Sequence, residues 1–218
     1  MQRLDNPFLY GHPVKADKFV GREDLIDILI QRVRTDQDSS IVGGLKLGKS
    51  SVFNALATLE NLLRMRKPGN SNEKVELILI DMVLFESHDT AESFWKNVSR
   101  QMLNKVTDAN AREVIQDFIK EADFTALSIG ALFGDLALAD YRFVFFLDNF
   151  DHILDLKDLL ASNFLGSLRS HSGASDYYRL IVSVQGRLSE LSNATKKLNP
   201  HASSFVNAYP IQSIEVFT

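Results

Sequence analysis

Three observations predict an α/β fold for this sequence. In this three-layer arrangement, helices cover both faces of a parallel β-sheet. Stretches typical of strands and of helices alternate from residue 39 to the end of the 218-residue chain. The central candidate strands are apolar nearly throughout, as in a sheet that is buried on both faces. A glycine-rich loop joins the first strand to the helix after it. Functional side chains are then expected at the carboxyl ends of the strands.

The composition excludes several classes of protein. Apolar residues make up 45% of the chain, enough for a large core, so overall disorder is not expected. The chain contains no cysteine, which excludes disulfides, thiolate catalysis and cysteine-ligated zinc. A net charge of −4 does not favour a nucleic-acid partner. The first residues, MQRLDNPFLYGH, do not form a signal peptide, and no apolar run could span a membrane, so we expect a cytoplasmic protein.

The first 35 residues are expected to form an arm and a helix that pack on the core. Pro7, Gly11 and Pro13 make residues 1–20 turn-like. The next stretch, GREDLIDILIQRVRT, has acidic residues early and arginines late, which suits the dipole of a helix. Its apolar residues recur at helical spacing, at Leu25, Ile28, Leu29 and Val33. We therefore divide the chain into residues 1–35 and an α/β core, residues 36–218.

The core begins with a strand, a loop and a helix. SSIV (39–42) predicts the first strand, and KSSVFNALATLENLLRMR (49–66) predicts one long helix after the loop. VELILIDMVLF (75–85) predicts a second strand, beyond a polar connection. TAESFWKNVSRQMLNKV (90–106) predicts an amphipathic helix that Thr90 caps.

Residues 108–140 are less informative. NAREVIQDFIKEA (110–122) is helical in pattern. FTALSIGALFGDLALADY (124–141) is apolar with two glycines and fits either a helix or a mobile insertion. The pattern does not assign a role to this region.

The remaining elements repeat the alternation. RFVFFLDNFDHIL (142–154) and YRLIVSVQG (178–186) predict buried strands, and LKDLLASNFLGSLRSH (156–171) between them predicts a helix. RLSELSNATKKL (187–198) fits a short helix or a loop, and FVNAYPIQSIEVF (205–217) predicts the last strand.

The loop IVGGLKLGKSS, residues 41–51, has the spacing of a phosphate-binding loop, G-x-x-x-x-G-K-[ST]. Glycines allow backbone N–H groups to converge on phosphate oxygens, and the positive end of the following helix faces the same anion. Lys49 would place a cation against the outer phosphates, and Ser50 would offer a hydroxyl to Mg²⁺. The alternative is a strand-to-helix turn that binds nothing. The residues predicted to bind nucleotide here are Gly43, Gly44, Leu45, Lys46, Leu47, Gly48, Lys49, Ser50 and Ser51.

A second motif, FVFFLDNFD, places Asp148 after a run of apolar residues. A buried strand that ends in a carboxylate is the arrangement that holds Mg²⁺ in P-loop NTPases. The alternative role for Asp148 is a helix N-cap after a strand. Together with the loop, this motif predicts a Mg²⁺ site formed by Ser50 and Asp148.

The residue that would activate water is less clear. Many ATPases of this class have a glutamate directly after the metal-binding aspartate, and Asn149 occupies that position here. An asparagine can orient a water molecule but cannot accept its proton. Asp151 either substitutes as the base or caps the following helix, and Arg187 either senses the γ-phosphate or is a solvated helix-start residue. We take Asn149, Asp151 and Arg187 as the candidate catalytic residues and expect slow or conditional hydrolysis.

In this order, the segments NPFLYGHPVKADKFVGRED, IVGGLKLGKSSVFNAL, FVFFLDNFD and RLIVSVQGRLSEL resemble the nucleotide-binding core of STAND-type ATPases, which are relatives of the AAA+ proteins. The resemblance covers nearly the whole chain. It implies a five-stranded sheet in the order 5-1-4-3-2 and ATP or ADP as the nucleotide. It also implies that Val20, Gly21 and Arg22 frame the adenine base, whereas local pattern alone is equally consistent with a turn and a charged helix start.

The resemblance further implies a helical lid and a winged-helix domain after the core. The sequence stops at IQSIEVFT, about where the last core strand should end, so we expect a trimmed or isolated core without the lid. Self-association or a partner protein would then involve regions C-terminal to it, and nucleic-acid binding is not expected of this fragment.

Three functions are consistent with these motifs. The first is the Mg²⁺-dependent ATP-binding core of a STAND-like signalling switch. The second is an active AAA+-like ATPase that remodels DNA or protein, similar to origin-recognition ATPases. The third is a scaffold with a degenerate loop, which the presence of both the phosphate and the metal motifs disfavours.

Overall fold

The computed structural model of the chain describes residues 13–161, 164–174, 178–186, 193 and 211–213. Within these ranges, the strands form one sheet in the order β2-β3-β4-β1-β5, and every neighbouring pair is parallel. Taken from the opposite edge this is 5-1-4-3-2, which confirms the predicted fold and strand order. The strands are β1 (Ser39–Val42), β2 (Lys74–Asp81), β3 (Tyr141–Asp148), β4 (Tyr178–Val184) and β5 (Ile211–Ser213).

Helices connect the strands and cover the sheet. The α-helices of the described ranges are α1 (Glu23–Arg34), α2 (Lys49–Leu56), α3 (Leu59–Arg64), α4 (Ala91–Leu103), α5 (Ala109–Glu121), α6 (Ala126–Leu138), α7 (Lys157–Ala161) and α8 (Phe164–Ala174). Short 3-10 helices span Ala16–Lys18, Met82–Leu84 and Phe150–Asp155. None of the helices in the described part of the chain is long and apolar enough to cross a membrane.

The sheet divides the core into two apolar clusters, one on each face. Every residue of β3 is buried, and successive side chains of a strand point to opposite faces. Phe143 and Phe145 therefore pack on one side with α4 to α8. Val144 and Phe146 pack on the other side with α1 and α2. This two-sided burial explains why the strand is apolar throughout and confirms the three layers.

Helix α1 packs on the core through Ile26, Leu29, Ile30 and Val33. The predicted helix is present, but Ile28 is 42% exposed and does not belong to the buried face. The buried stripe is therefore shifted around the helix from the one that the sequence pattern suggested.

The prediction of a single helix over residues 49–66 is wrong. The chain forms α2 and α3, and Thr58 separates them with an extended backbone. Its hydroxyl accepts a hydrogen bond from the backbone N–H of Asn61 and caps α3. A threonine at this position competes with continued helix because its side chain satisfies one of the free N–H groups at the start of a new helix.

Strands β2 and β3 both end earlier than predicted, and each ends at an aspartate. After β2, the Asp81 carboxylate accepts from the N–H of Val83 and starts a 3-10 turn. After β3, the backbone of Asn149 turns left-handed, with φ at 52°. Asparagine tolerates this conformation better than most residues. The two turns place polar side chains side by side at the carboxyl edge of the sheet.

Residues 126–138, for which the sequence left helix or mobile insertion open, form the regular helix α6. Ile129, Leu132, Phe133 and Leu136 are buried against the sheet. The predicted element at 187–198 lies outside the described residues apart from residue 193, and only residues 211–213 of the predicted last strand are described.

Candidate nucleotide site

The loop between β1 and α2 lies at the carboxyl edge of the sheet. It starts at Gly43, whose N–H donates to the carbonyl of Val184 on the neighbouring strand at 3.2 Å. It ends at Gly48, where φ is +83°. A residue with a side chain would be strained in this left-handed conformation, and the Gly-Lys step lets α2 begin with its free N–H groups facing the loop. The predicted loop therefore connects β1 to α2 directly, and its binding of phosphate remains a prediction.

The ammonium of Lys49 lies against the backbone of this loop. Its Nζ donates to the carbonyls of Gly43 at 2.8 Å and Gly44 at 2.9 Å, and the residue is buried. Burial lowers the pKa of Lys49, and the nearby carboxylates of Asp148 and Asp151 oppose this effect. Since an ammonium carries three N–H groups, these two carbonyls leave one for a further acceptor.

Ser50 and Asp148 lie in direct contact, although 98 residues separate them in the chain. The Ser50 hydroxyl donates to Oδ2 of Asp148 at 2.5 Å. The other oxygen, Oδ1, accepts from the Ser183 hydroxyl on β4 and from the N–H of Asn149 at 3.0 Å. These donors hold the carboxylate in one orientation at the junction of β3, β4 and the loop.

The chemistry of these donors fits Mg²⁺. The ion prefers oxygen ligands and is usually bound through one or two carboxylates, with water and substrate phosphates completing its shell. Ser50 and Asp148 offer a hydroxyl and a carboxylate oxygen at adjacent positions. Among the described residues, no group of three or more His, Asp or Glu side chains could form an all-protein metal cage. A Mg²⁺ site whose remaining ligands are water and phosphate does not need such a cage.

A row of polar side chains crosses the ends of three adjacent strands beside this pair. Asp81 on β2 is in register with Asp148 on β3. The amide Nδ2 of Asn149 donates to Oδ1 of Asp81 at 3.0 Å, and the amide oxygen accepts from Nε2 of Gln185 at 3.4 Å. Sequence reasoning missed Asp81. The signal was present, since LILID is an apolar strand that ends in an acid, as FVFFLD is.

The charge of Asp151 acts to raise the pKa of Lys49, against the larger effect of burial. One carboxylate oxygen accepts from the N–H of Gln185 at 3.4 Å. The other oxygen is buried and has no hydrogen-bond partner among the described residues. Asp151 forms part of the 3-10 turn Phe150–Asp155 rather than capping its start, which is the position of Asn149.

The end of the N-terminal arm lies against the helix that carries the loop. The N–H of Val14 donates to the hydroxyl of Ser51 at 2.9 Å, and the amide of Asn54 donates to the carbonyl of Val14 at 2.9 Å. Adjacent serines of the motif therefore face different partners, with Ser50 toward β3 and Ser51 toward the arm.

The segment predicted to frame the adenine also reaches the loop. The Arg22 guanidinium donates to the carbonyl of Leu47 at 2.5 Å, and burial lowers its pKa. Gly21 and Arg22 both have left-handed backbones directly before α1, and Val20 is 81% exposed. Leu45 and Lys46 are exposed on the loop, and Leu47 is half-buried. Arg187, the remaining candidate catalytic residue, lies outside the described residues.

No protein-family model matches the chain, and no curated protein matches it. Several solved structures do. The ORC2 protein of Aeropyrum pernix, solved as ADPNP–ADP complexes, aligns with a TM-score of 0.63 at 12% identity, over 95% of this chain and 50% of that one. The Walker-type ATPase of Pyrococcus abyssi aligns with a TM-score of 0.56 at 13% identity, over 97% of this chain and 58% of that one.

A third match carries DNA. The ORC1 protein of Aeropyrum pernix in complex with DNA aligns with a TM-score of 0.54 at 13% identity, over 92% of this chain and 46% of that one. The chain thus spans about half the length of these proteins. At such low identity the likeness concerns the fold alone. The chain has the three-layer α/β fold of P-loop NTPase cores.

Proposed function

We propose that the chain is the Mg²⁺-dependent ATP-binding core of a STAND-like signalling switch. The observation that carries the proposal is the contact of the Ser50 hydroxyl with the Asp148 carboxylate at 2.5 Å, directly beside the loop that encloses Lys49. A phosphate tail would accept hydrogen bonds from the loop N–H groups and from Lys49. Mg²⁺, held by Ser50 and Asp148, would neutralise the phosphate charge.

Hydrolysis is proposed to be slow. The residue after Asp148 is an amide, which orients water without taking its proton. General-base catalysis typically contributes 10²- to 10⁴-fold to a rate, so its loss leaves binding intact and turnover low. Slow turnover suits a switch, because the nucleotide-bound state persists long enough for a partner or a second copy to respond.

Nucleotide-dependent thermal stabilisation tests the proposal. Mg²⁺ with ATP is expected to raise the melting temperature of the wild-type chain, since a ligand that binds only the folded state stabilises it. Lys49→Ala should abolish the shift, and Lys96→Ala, which removes a partly exposed lysine paired with Glu92 on α4, should retain it. A folded wild-type sample that shifts with neither ATP, ADP nor GTP would refute the proposal.

A second function, an active AAA+-like ATPase that remodels DNA or protein, is favoured by one observation. The buried oxygen of Asp151, which has no hydrogen-bond partner in the part of the chain that the structure describes, is an available proton acceptor whose charge acts on Lys49. Turnover that Asp151→Ala abolishes and Asn149→Ala retains would support this alternative. The opposite pattern would support the slow switch.

A further inference from the structure

Asp81 and Asn149 form a pair that joins two strands at the edge of the candidate site. Oδ1 of Asp81 accepts both from the N–H of Val83, at 3.1 Å, and from Nδ2 of Asn149, at 3.0 Å. The Val83 contact fixes the carboxylate within its own turn. The second contact connects this fixed carboxylate to Asn149, which directly follows the proposed metal ligand Asp148.

This pair determines which way the Asn149 amide points. An ionised carboxylate only accepts hydrogen bonds, so the NH₂ group of Asn149 must face Asp81. The amide oxygen then faces away from β2, toward β4, where Gln185 Nε2 approaches it at 3.4 Å. That contact is long, which leaves the oxygen with acceptor capacity for a better-placed donor. The left-handed backbone of Asn149 further limits the positions that the side chain can take.

We propose that Asp81 is a positioning residue for ATP hydrolysis, which holds the Asn149 amide so that its oxygen accepts a hydrogen bond from the attacking water. The inference rests on the proposed function. The water oxygen forms a bond to the γ-phosphorus, and the bond from that phosphorus to the β–γ bridging oxygen breaks. ADP leaves with the bonding electron pair. The water proton passes to a phosphate oxygen, so the balance requires no base from the protein.

Three variants test the pair through single-turnover hydrolysis of Mg²⁺·ATP. Asp81→Ala frees the amide and should lower the rate constant by about tenfold to a hundredfold, the cost of a misplaced group, with the Kd for ATP within about twofold of wild type. Asn149→Asp sets a carboxylate against Asp81 and should also lower the rate. The double variant Asp81→Asn/Asn149→Asp restores a donor facing an acceptor and should hydrolyse at least as fast as wild type. Aspartate also tolerates the left-handed backbone at residue 149.

The matched control is Asp155→Asn, which removes a largely exposed carboxylate from the same 3-10 turn and should leave the rate unchanged. A readout that needs no nucleotide is the side-chain NH₂ signal pair of Asn149 in a ¹H–¹⁵N spectrum, assigned by its loss in Asn149→Asp. Asp81→Ala should move these signals, and Asp155→Asn should not.

The outcomes separate this inference from the proposed function. If Mg²⁺·ATP stabilises the protein but Asp81→Ala hydrolyses like wild type, or the double variant is no faster than Asn149→Asp, the positioning role is wrong. Nucleotide binding without any phosphate release by the wild type would also overturn it. If nucleotide does not bind at all, the proposed function itself fails.

Discussion

At the scale of single residues, the two serines after Lys49 make contacts with different parts of the molecule, although both lie in the first turn of α2. Successive residues of an α-helix point about 100° apart, since 3.6 residues form a turn. Ser50 therefore reaches the Asp148 carboxylate, whereas Ser51 receives the N–H of Val14 from the arm. The first contact is proposed to serve the metal, and the second ties the arm to α2. A change at one serine should leave the other contact in place.

This difference gives a matched pair of variants. Ser50→Ala is expected to weaken Mg²⁺·ATP binding by about tenfold or more, as when a metal site loses an interaction. Its binding of ATP without Mg²⁺ should change little. Ser51→Ala should retain the Mg²⁺-dependent part of the affinity, because its hydroxyl faces Val14. Calorimetric titration with and without Mg²⁺ measures both effects, and equal Mg²⁺ dependence in the two variants would contradict the assigned roles.

At the scale of elements, α6 is a structural part of the core. The ring of Phe133 lies 4.8 Å from that of Tyr178 and 5.8 Å from that of Phe145, measured between centroids. It also contacts Trp95 on α4, at 6.0 Å. The helix thereby links α4 to the central strands. Burial of this face accounts for Ile129, Leu132 and Leu136, whereas Leu127 and Leu138 on the same helix are exposed.

Truncation of this ring should therefore be costly. Phe133→Ala is expected to lower the free energy of unfolding by about 3–5 kcal/mol, through lost burial and a residual cavity. The control is Leu138→Ala on the same helix, where the side chain is 87% exposed and the change should stay within about 0.5 kcal/mol. Urea denaturation measures both, and similar losses in the two variants would contradict the packing of α6.

At the scale of the whole molecule, the two ends of the sheet carry different groups of polar residues. The carboxyl end carries the candidate site, and a charged network ties the layers at the amino end. Asp36, in the connection from α1 to β1, contacts the guanidinium groups of Arg142 on β3 at 2.6 Å and Arg179 on β4 at 2.9 Å. Lys67 contacts its other oxygen at 3.2 Å. Both arginines are buried, and Asp36 is the carboxylate that contacts both of them, while Arg142 also lies 3.8 Å from Glu73.

This network predicts a dependence of stability on pH. Burial alone would raise the pKa of Asp36, but Arg142, Arg179 and Lys67 hold it below its ordinary value. A depressed pKa stabilises the fold at pH above the unfolded value of about 3.9, and this stability is lost as the pH falls through the folded pKa. Asp36→Asn removes the charge and keeps a residue that tolerates the left-handed backbone. It should lower the free energy of unfolding by about 2 kcal/mol at pH 7. The loss is smaller than for a fully buried ion pair, because Asp36 is partly solvated.

The gap between wild type and Asp36→Asn should narrow as the pH falls from 5 toward 2. The control is Asp27→Asn, whose aspartate pairs with Arg64 on the surface at 2.5 Å and should contribute less than about 1 kcal/mol. Thermal unfolding across this pH range measures the gap. A gap that stays constant with pH would show that the charge of Asp36 does not stabilise the fold.

Local sequence pattern was sufficient for the described strands, for helices α1 and α4, and for the two motifs that meet at the site, but it did not decide α6 or the break between α2 and α3. Glycine, lysine and serine at fixed spacing describe a loop whose geometry depends on its own residues. An apolar run that ends in an aspartate describes a strand and the group at its end. Such signals depend only on residues that are close in the sequence, so they have the same meaning in any fold that buries the strands.

The partners of those groups could not be predicted in the same way. The contact of Asn149 with Asp81 spans 68 residues and depends on the register of β2 against β3. That register is established by the packing of both sheet faces, which no single segment encodes. The same holds for the break at Thr58 and for Asp36, whose role follows from two arginines more than 100 residues away. Spacing along the chain therefore predicted the candidate phosphate loop, whereas packing across the sheet placed its neighbours, because the energy of those contacts arises only when the distant strands are paired.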